Sequence, residues 1–360
     1  PTIPDLVLYH AITDHLYRRS KRQEHRHAYF EIRKLSKVRQ EAVAAAHVVM
    51  DGGEYVSRGQ RRFLAWLHYD QYRRYLIFEK TYPFIVVSDV TNYFDSILHR
   101  RLAESFHAVA APPGMLGLLF FLLERLSVRD AYTESPQIGL PVDEFDCSRR
   151  LAHLFLFPHD DRMVRLVGED GFVRWMDDQS FGANSRAEAL KILSDLSRSL
   201  ARLHLTPNAA KSRILNIRDA RRHFHLDLNS RLDALEKLSA QTVAHRRLLA
   251  RNARSIWRSC QPHEKVGEWD KVAKRIYRFA ALGRGRFLRR RAHQHLLEYP
   301  KLARRISDYM RVTGSPAEYL DFVERVLSDP EQVYADVNLV LVESLLRLEC
   351  TGADAKRVRT

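Results

Sequence analysis

The chain of 360 residues is 45% hydrophobic and carries a formal net charge of +15 with a pI near 9.8. That length admits about two domains with ordinary cores, and that charge calls for a polyanionic partner. Cys147, Cys260 and Cys350 are few, far apart and odd in number, which excludes a disulfide framework or a zinc module and fits a reducing cytoplasm. The most apolar run, MLGLLFFLLERL at 115–126, is too short to span a bilayer, so no membrane partner is expected. A chain that opens on Pro1 reads as a trimmed one.

Residues 1–50 are basic and helical in rhythm, from Arg18, Arg19, Lys21 and Arg22 to the helix-favouring EAVAAAHVVM. DGGEYVSRGQRRFLAWL at 51–67 joins a Gly-Gly turn to alternating character, which predicts a hairpin. FIVVSDVTNYFDSI at 84–97 runs from apolar residues into Ser88 and Asp89 and predicts a buried strand that delivers a carboxylate at its end. Helices follow from His99 to Val128, broken at AAPPG, where Pro112 and Pro113 forbid continuation. AYTESPQIGLP gives an extended approach to a helix starting near Cys147. On that helix Leu151, Leu154, Phe155 and Leu156 face a core, while Arg149, Arg150 and His153 lie elsewhere.

FVRWMDDQSFG at 172–182 has β-prone, largely apolar residues on both sides of Asp177 and Asp178, the pattern of a hairpin with acid at its tip. Two strands that bring carboxylates to one point suit a pair of divalent cations in phosphoryl transfer, because such ions take oxygen ligands and let substrate phosphates complete their shells. Ser185 to Leu203 is periodic as a helix, and Pro207 ends it or begins the next strand. From Leu226 onward no strand is expected; helical segments alternate with breaks at Gln261-Pro262, Gly283 to Gly285, Tyr299-Pro300, Gly314 to Pro316 and Asp329-Pro330. Between His245 and Arg311, nineteen Lys or Arg stand against five acids, interleaved with Trp257, Trp269, Tyr277 and Phe287, which points to a nucleic-acid backbone.

These segments resemble the reverse transcriptase superfamily. Residues 84–97 look like its motif A, QIGLP at 137–141 with SRRLAH at 148–153 like motif B, WMDD at 175–178 like the motif C box, and LTPNAAKSRI at 205–214 like motif D. The Arg-Trp-Met-Asp-Asp-Gln form and the Ser-Arg-Arg-Leu-Ala run are most similar to bacterial abortive-infection and defence-associated members. The resemblance implies an α+β fold: N-terminal and fingers regions over 1–80, a right-hand polymerase palm over 81–225, and a basic all-α domain over 226–360. That last domain would be either a helical repeat or a plain bundle thumb.

By the same resemblance, Asp89, Asp177 and Asp178, with the carbonyl of Val90, hold two Mg2+ ions, for which Mn2+ can substitute. Asp95 is a rival to Asp89, but the family aromatic falls five residues after its metal-binding aspartate, and Phe94 stands there. Phe94 would then exclude ribonucleotides, and Lys211 would neutralise or protonate the departing pyrophosphate. Gly139 and Pro141 would flank the nucleotide. One of Arg58, Arg61 and Arg62 would meet its triphosphate, and spacing does not choose among them. Arg289, Arg290, Arg291 and Trp257 are the expected nucleic-acid contacts.

The implied activity is DNA synthesis from deoxynucleoside triphosphates in antiphage defence. RNA or DNA, an associated non-coding RNA and further copies of the chain are the partners it admits. A retron-type or intron-type enzyme copying a defined RNA, and a silent nucleic-acid-binding scaffold, are the alternatives. Motif B departs from the family: Val142 and Asp143 stand where Gln and Gly are usual. The acids Asp143, Glu144 and Asp146 would also repel a template strand. Relaxed or absent templating is therefore expected, with initiation on a protein hydroxyl as one form of it.

Overall fold

A computed structural model describes residues 2–20, 23–29, 58–80, 82–106, 111–126, 137–141, 146–236, 238 and 242–348, with backbone alone at 58–64, 67 and 263. The described residues form an α+β structure, mostly helical, with one five-stranded mixed sheet. They divide into two compact units, one reaching Ala220 and one starting at Arg221.

The first unit opens with α1 (Ile3–Ser20), which buries Tyr9, Ile12, Leu16 and Tyr17, and the short strand β1 (Ala28–Tyr29). Helix α2 (Arg58–Phe78) follows. Residues 58–67 were expected in a hairpin and are helical instead; residues 51–57 lie outside the described part. The reason is visible past the point where alternation was read. Ala65, Tyr69 and Leu76 recur at helical spacing and are buried, and Tyr69 and Leu76 pack on Val173 of the sheet. Asp70 reinforces the helix through Arg73 and Arg74, one turn on.

The remaining elements of this unit are β2 (Phe84–Ser88), α3 (His99–Ser105), α4 (Pro113–Leu126), α5 (Cys147–Phe155), α6 (Phe157–Val167), β3 (Phe172–Trp175), β4 (Asp178–Ala183), α7 (Arg186–Arg202) and β5 (Arg213–Asn216). The sheet runs β1-β3-β4-β2-β5, parallel at β1/β3 and antiparallel elsewhere. α2 packs against β1, β3 and β4; α6 also packs against β3 and β4, and α7 against β2, β4 and β5. The pleat sorts the side chains: Val173 joins Tyr69 and Leu76, whereas its neighbour Phe172 meets Phe181 across the hairpin at 5.3 Å within the main core. No helix among the described residues is long and apolar enough to cross a membrane, and the 115–126 run lies in α4 with Leu119, Leu122 and Leu123 buried.

α8 (Ile217–His223) carries the chain across the boundary. The second unit then holds α9 (Leu226–Glu236), α10 (Val243–Cys260), α11 (Trp269–Leu282), α12 (Ala292–Glu298), α13 (Ala303–Thr313), α14 (Pro316–Leu327) and α15 (Ala335–Leu345), with no strand among its described residues. Each break expected from Gly or Pro falls at a helix end. Thr242 caps α10 through the amide of His245, and Ser315 and Glu318 form a reciprocal capping box on α14. α10 packs on α11, α11 on α13 and α13 on α15. Buried tyrosines in this stack all have partners: Tyr277 Oη meets His295 Nδ1 at 2.8 Å, and Tyr319 Oη meets Ser307 Oγ at 2.7 Å.

Gly182 stands opposite Ile85, and the Tyr82 ring lies directly on it: a Cβ there would sit 2.2 Å from Tyr82 Cδ2. Gly182→Ala should therefore displace Tyr82 or the strand and destabilise the first unit by about 1–3 kcal/mol. Chemical denaturation measures it, and an unchanged midpoint would contradict the packing described.

Candidate active site

β2 ends where its ladder with β4 ends, so the chain leaves the sheet at Asp89. Asp177 lies in the two-residue turn between β3 and β4, and Asp178 is the first residue of β4, paired with Trp175. The central position of β4 beside β2 brings the three aspartates together at one end of the sheet. Asp177 is pushed up to about 7, first by burial and then by the charges of Asp178 and Asp89, and it is hydrogen-bonded to Asp89. Like charges held this close keep a proton between them unless a cation takes its place.

A second segment closes the site from β5's side. Thr91 N donates to Thr206 O at 2.9 Å, Val90 bridges Pro207, and Asn208 N donates to Asp89 O at 2.8 Å. This turn aims Lys211 at the cluster, and its Nζ donates to Asp89 Oδ2 at 2.6 Å. Asn208 Nδ2 approaches the same oxygen at 3.3 Å. Burial works against the Lys211 charge, yet the hydrogen bond to Asp89 and the fields of the three aspartates hold it above the usual lysine range. Its side chain remains 56% exposed, so the ammonium can swing away from Asp89 toward an incoming anion.

Phe94 sits half-buried against the main core, edge-on to Tyr93 at 5.7 Å. The QIGLP segment lies along this loop: Gly139 N donates to Ile97 O at 2.9 Å and Leu140 N to Phe94 O at 3.1 Å. Gly139 adopts φ 85°, which other residues accept only with strain. Ser148 Oγ donates to Pro141 O and meets Tyr9 Oη at 2.9 Å. Phe94, Gly139 and Pro141 thus form one joined frame. The side chains of Arg58, Arg61 and Arg62, and residues Val142, Asp143 and Glu144, lie outside the described part. Asp146 does not project a free charge: it is buried and accepts from Arg149 Nη1 at 2.7 Å.

The helix Cys147–Phe155 departs from expectation, because Arg150 and His153 are buried rather than set apart from the core. Arg150 Nη1 donates to Asp14 Oδ1 at 3.2 Å, and its guanidinium lies over the Tyr17 ring. His153 belongs to a network centred on Arg174, a residue sequence reading passed over. Arg174 and Asp160 are both 0% exposed and pair in a fork, Arg174 Nε to Asp160 Oδ1 at 2.7 Å and Nη2 to Oδ2. Arg174 Nη1 also donates to Met176 O at 2.8 Å and reaches His153 Nδ1 at 3.3 Å. His153 is held neutral by burial, so Nδ1 accepts and Nε2 donates to Glu24 Oε1 at 2.8 Å. Met176 is kept at φ 52°, a strained conformation that the guanidinium stabilises by holding its carbonyl. Its sequence signals were its place in the Arg-Trp-Met-Asp-Asp-Gln form and a charge on a strand whose neighbours are apolar.

Trp175 packs against Tyr69 at 6.2 Å. In the second unit Trp257 is buried, with the Arg291 guanidinium 6.0 Å above its ring. Arg289 and Arg291 face Glu318 and Glu264 at 3.5 and 3.6 Å, whereas Arg290 is exposed.

The hard oxygen donors of the acid cluster suit Mg2+ in kind. Among the described residues no group of three His, Cys, Asp or Glu is gathered in a geometry that encloses an ion. The aspartates meet instead through the Asp89–Asp177 hydrogen bond and the Lys211 ammonium, both of which a divalent cation would replace.

Asp160→Asn leaves the Arg174 charge buried without its counter-ion and should cost about 3–5 kcal/mol, read as a lowered denaturation midpoint. An unaltered midpoint would mean that the fork carries no stability. No protein-family model matches the chain, and a search of curated proteins finds no match.

Proposed function

We propose that the chain is a nucleotidyl-transferring DNA polymerase of the reverse transcriptase type, its first unit combining palm and fingers. The observation that carries this reading is the convergence of Asp89, Asp177 and Asp178 from separate strands with Lys211. The adjoining frame of Phe94 and Gly139 to Pro141 supports it too, since it holds a half-buried aromatic, Phe94, on the loop that follows Asp89. The antiphage role rests on the motif resemblance alone. The stacked order α10, α11, α13, α15 favours the helical-repeat form of the basic domain over a plain bundle.

Asp89, Asp177 and Asp178, with the carbonyl of Val90, are the groups that would hold Mg2+. When bound, the ions lower the pKa of the primer hydroxyl and neutralise the pyrophosphate that leaves. The residues of the chain do the positioning. Asp177 holds a proton because of burial and its charged neighbours, and a cation bound beside it would stabilise the ionised carboxylate in the proton's place. Lys211 exchanges its Asp89 contact for the departing phosphate, to which Nζ can give a proton. Phe94 closes the space beside the sugar and rejects a 2′ hydroxyl. The Arg174 network keeps the turn that carries Asp177 from shifting.

One observation favours a second reading, a silent nucleic-acid-binding scaffold: the Lys211 ammonium already occupies the cation position on Asp89. A primed heteropolymeric RNA with four deoxynucleotides and Mg2+ separates the two. The parent chain should extend the primer, and Asp89→Asn or Asp177→Asn should each lower extension by at least about a hundredfold with an unchanged melting profile. No extension by the parent at any Mg2+ or Mn2+ concentration would favour the scaffold. Sequencing the products shows whether they complement the RNA. Phe94→Ala should admit ribonucleotides that the parent rejects, and full retention of selectivity would return Phe94 to a packing role.

A further inference from the structure

The second unit contains an open cleft of about 350 Å3 walled by Arg254 and Arg258 on α10 and by Arg286 and Arg290 on the segment after α11. Phe287, between the latter two in sequence, is half-buried, and Gln261 and Trp257 complete the lining. The four guanidinium groups are exposed. Arg286 is paired with Glu318, but among the described residues Arg254, Arg258 and Arg290 have no acidic partner. Three guanidinium groups that face one volume without acidic partners repel one another until an anion enters.

The wall is rigid. Tyr309 is buried, donates to Gly285 O at 2.9 Å and accepts from Leu288 N at 3.0 Å, which fixes the backbone on both sides of Arg286 and Phe287. Trp257 is locked in the core between Trp269 and His295. Only the arginine heads and the Phe287 face therefore adjust to a ligand.

We infer that this cleft holds one phosphate-bearing nucleotide, its phosphates on Arg254, Arg258 and Arg290 and its base against Phe287. Guanidinium forks match phosphate oxygens in pairs, and an aromatic face beside them accepts any base. Gln261 offers both a donor and an acceptor to a base edge. The volume lies at the lower end of the roughly 300–1,000 Å3 that takes a small organic ligand, which suits one nucleotide unit and excludes a duplex. The nucleotide can be free or part of a single strand. The inference stands independently of catalysis at Asp177, which lies in the other unit.

The test measures binding of the full chain to a labelled single-stranded heteropolymer by anisotropy, and to nucleoside triphosphate, monophosphate and unphosphorylated nucleoside by calorimetry. Arg258→Ala with Arg290→Ala should weaken phosphorylated ligands at least about tenfold and flatten the salt dependence. Phe287→Leu should weaken nucleotides but leave inorganic tripolyphosphate unaffected. Arg278→Ala, an arginine paired with Glu236 away from the cleft, should change neither, and Asp177→Asn should leave cleft binding intact. Free nucleotides that bind as tightly as the strand identify the free form; a response confined to the strand identifies a bound strand. Unchanged affinity for every phosphorylated ligand in the double arginine variant, with a parent-like melting profile, overturns the inference. Equal binding of the unphosphorylated nucleoside overturns it as well. Loss of extension in Asp177→Asn without loss of cleft binding keeps this site separable from the polymerase reading.

Discussion

The buried fork between Arg174 and Asp160 is the constraint on which the acid cluster depends. A guanidinium with no exposed surface is tolerated only where its nitrogens are paired, and here a carboxylate, a carbonyl and an imidazole pair all three. Asp160 comes from α6, His153 from α5 and the carbonyl from the β3–β4 turn, so one side chain ties two helices to the hairpin tip. The motif-like helix α5 thus acts from inside the protein: Arg150 and His153 steady the wall behind the turn through Asp14 and Glu24.

That stiffness matters because the tip carries mutually repelling charges. Asp177 is buried beside Asp178 and Asp89, a combination that raises its proton affinity and would spread a flexible turn apart. Lys211 offsets part of the repulsion from an exposed position, attached by one short hydrogen bond. The site is therefore strongly anionic at a fixed point, with a movable cation beside it. Such an arrangement favours cations and the phosphates they carry over any neutral ligand.

The second unit uses charge in the opposite sense. Its stack is stabilised by buried tyrosines whose hydroxyls find partners on neighbouring segments, as those of Tyr277, Tyr309 and Tyr319 do. Because the interior takes the tyrosines and tryptophans, the arginines are left on the outside, several of them paired with glutamates and several not. Three without an acidic partner among the described residues, Arg254, Arg258 and Arg290, gather in one cleft. The basic surplus in the sequence is thus unevenly used: Arg289 and Arg291 have acids within reach, while Arg254, Arg258 and Arg290 face open space.

The sequence by itself determined the local structure wherever one periodicity dominated. The hairpin with Asp177 and Asp178 at its tip, the strand that ends at Asp89, and every Gly or Pro break between Gln261 and Pro330 were readable because pattern and punctuation agreed. The same reading failed at 58–67, where a Gly-Gly turn just upstream outweighed a helical rhythm whose buried positions, Tyr69 and Leu76, lie beyond it. What only the tertiary structure decided is which charges point inward. Arg150, His153, Asp160 and Arg174 look like surface residues in a one-dimensional pattern, since burial of a charge depends on partners distant in the chain. The cleft is of the same kind: Arg254 and Arg290 become neighbours only when α11 turns the chain back on α10.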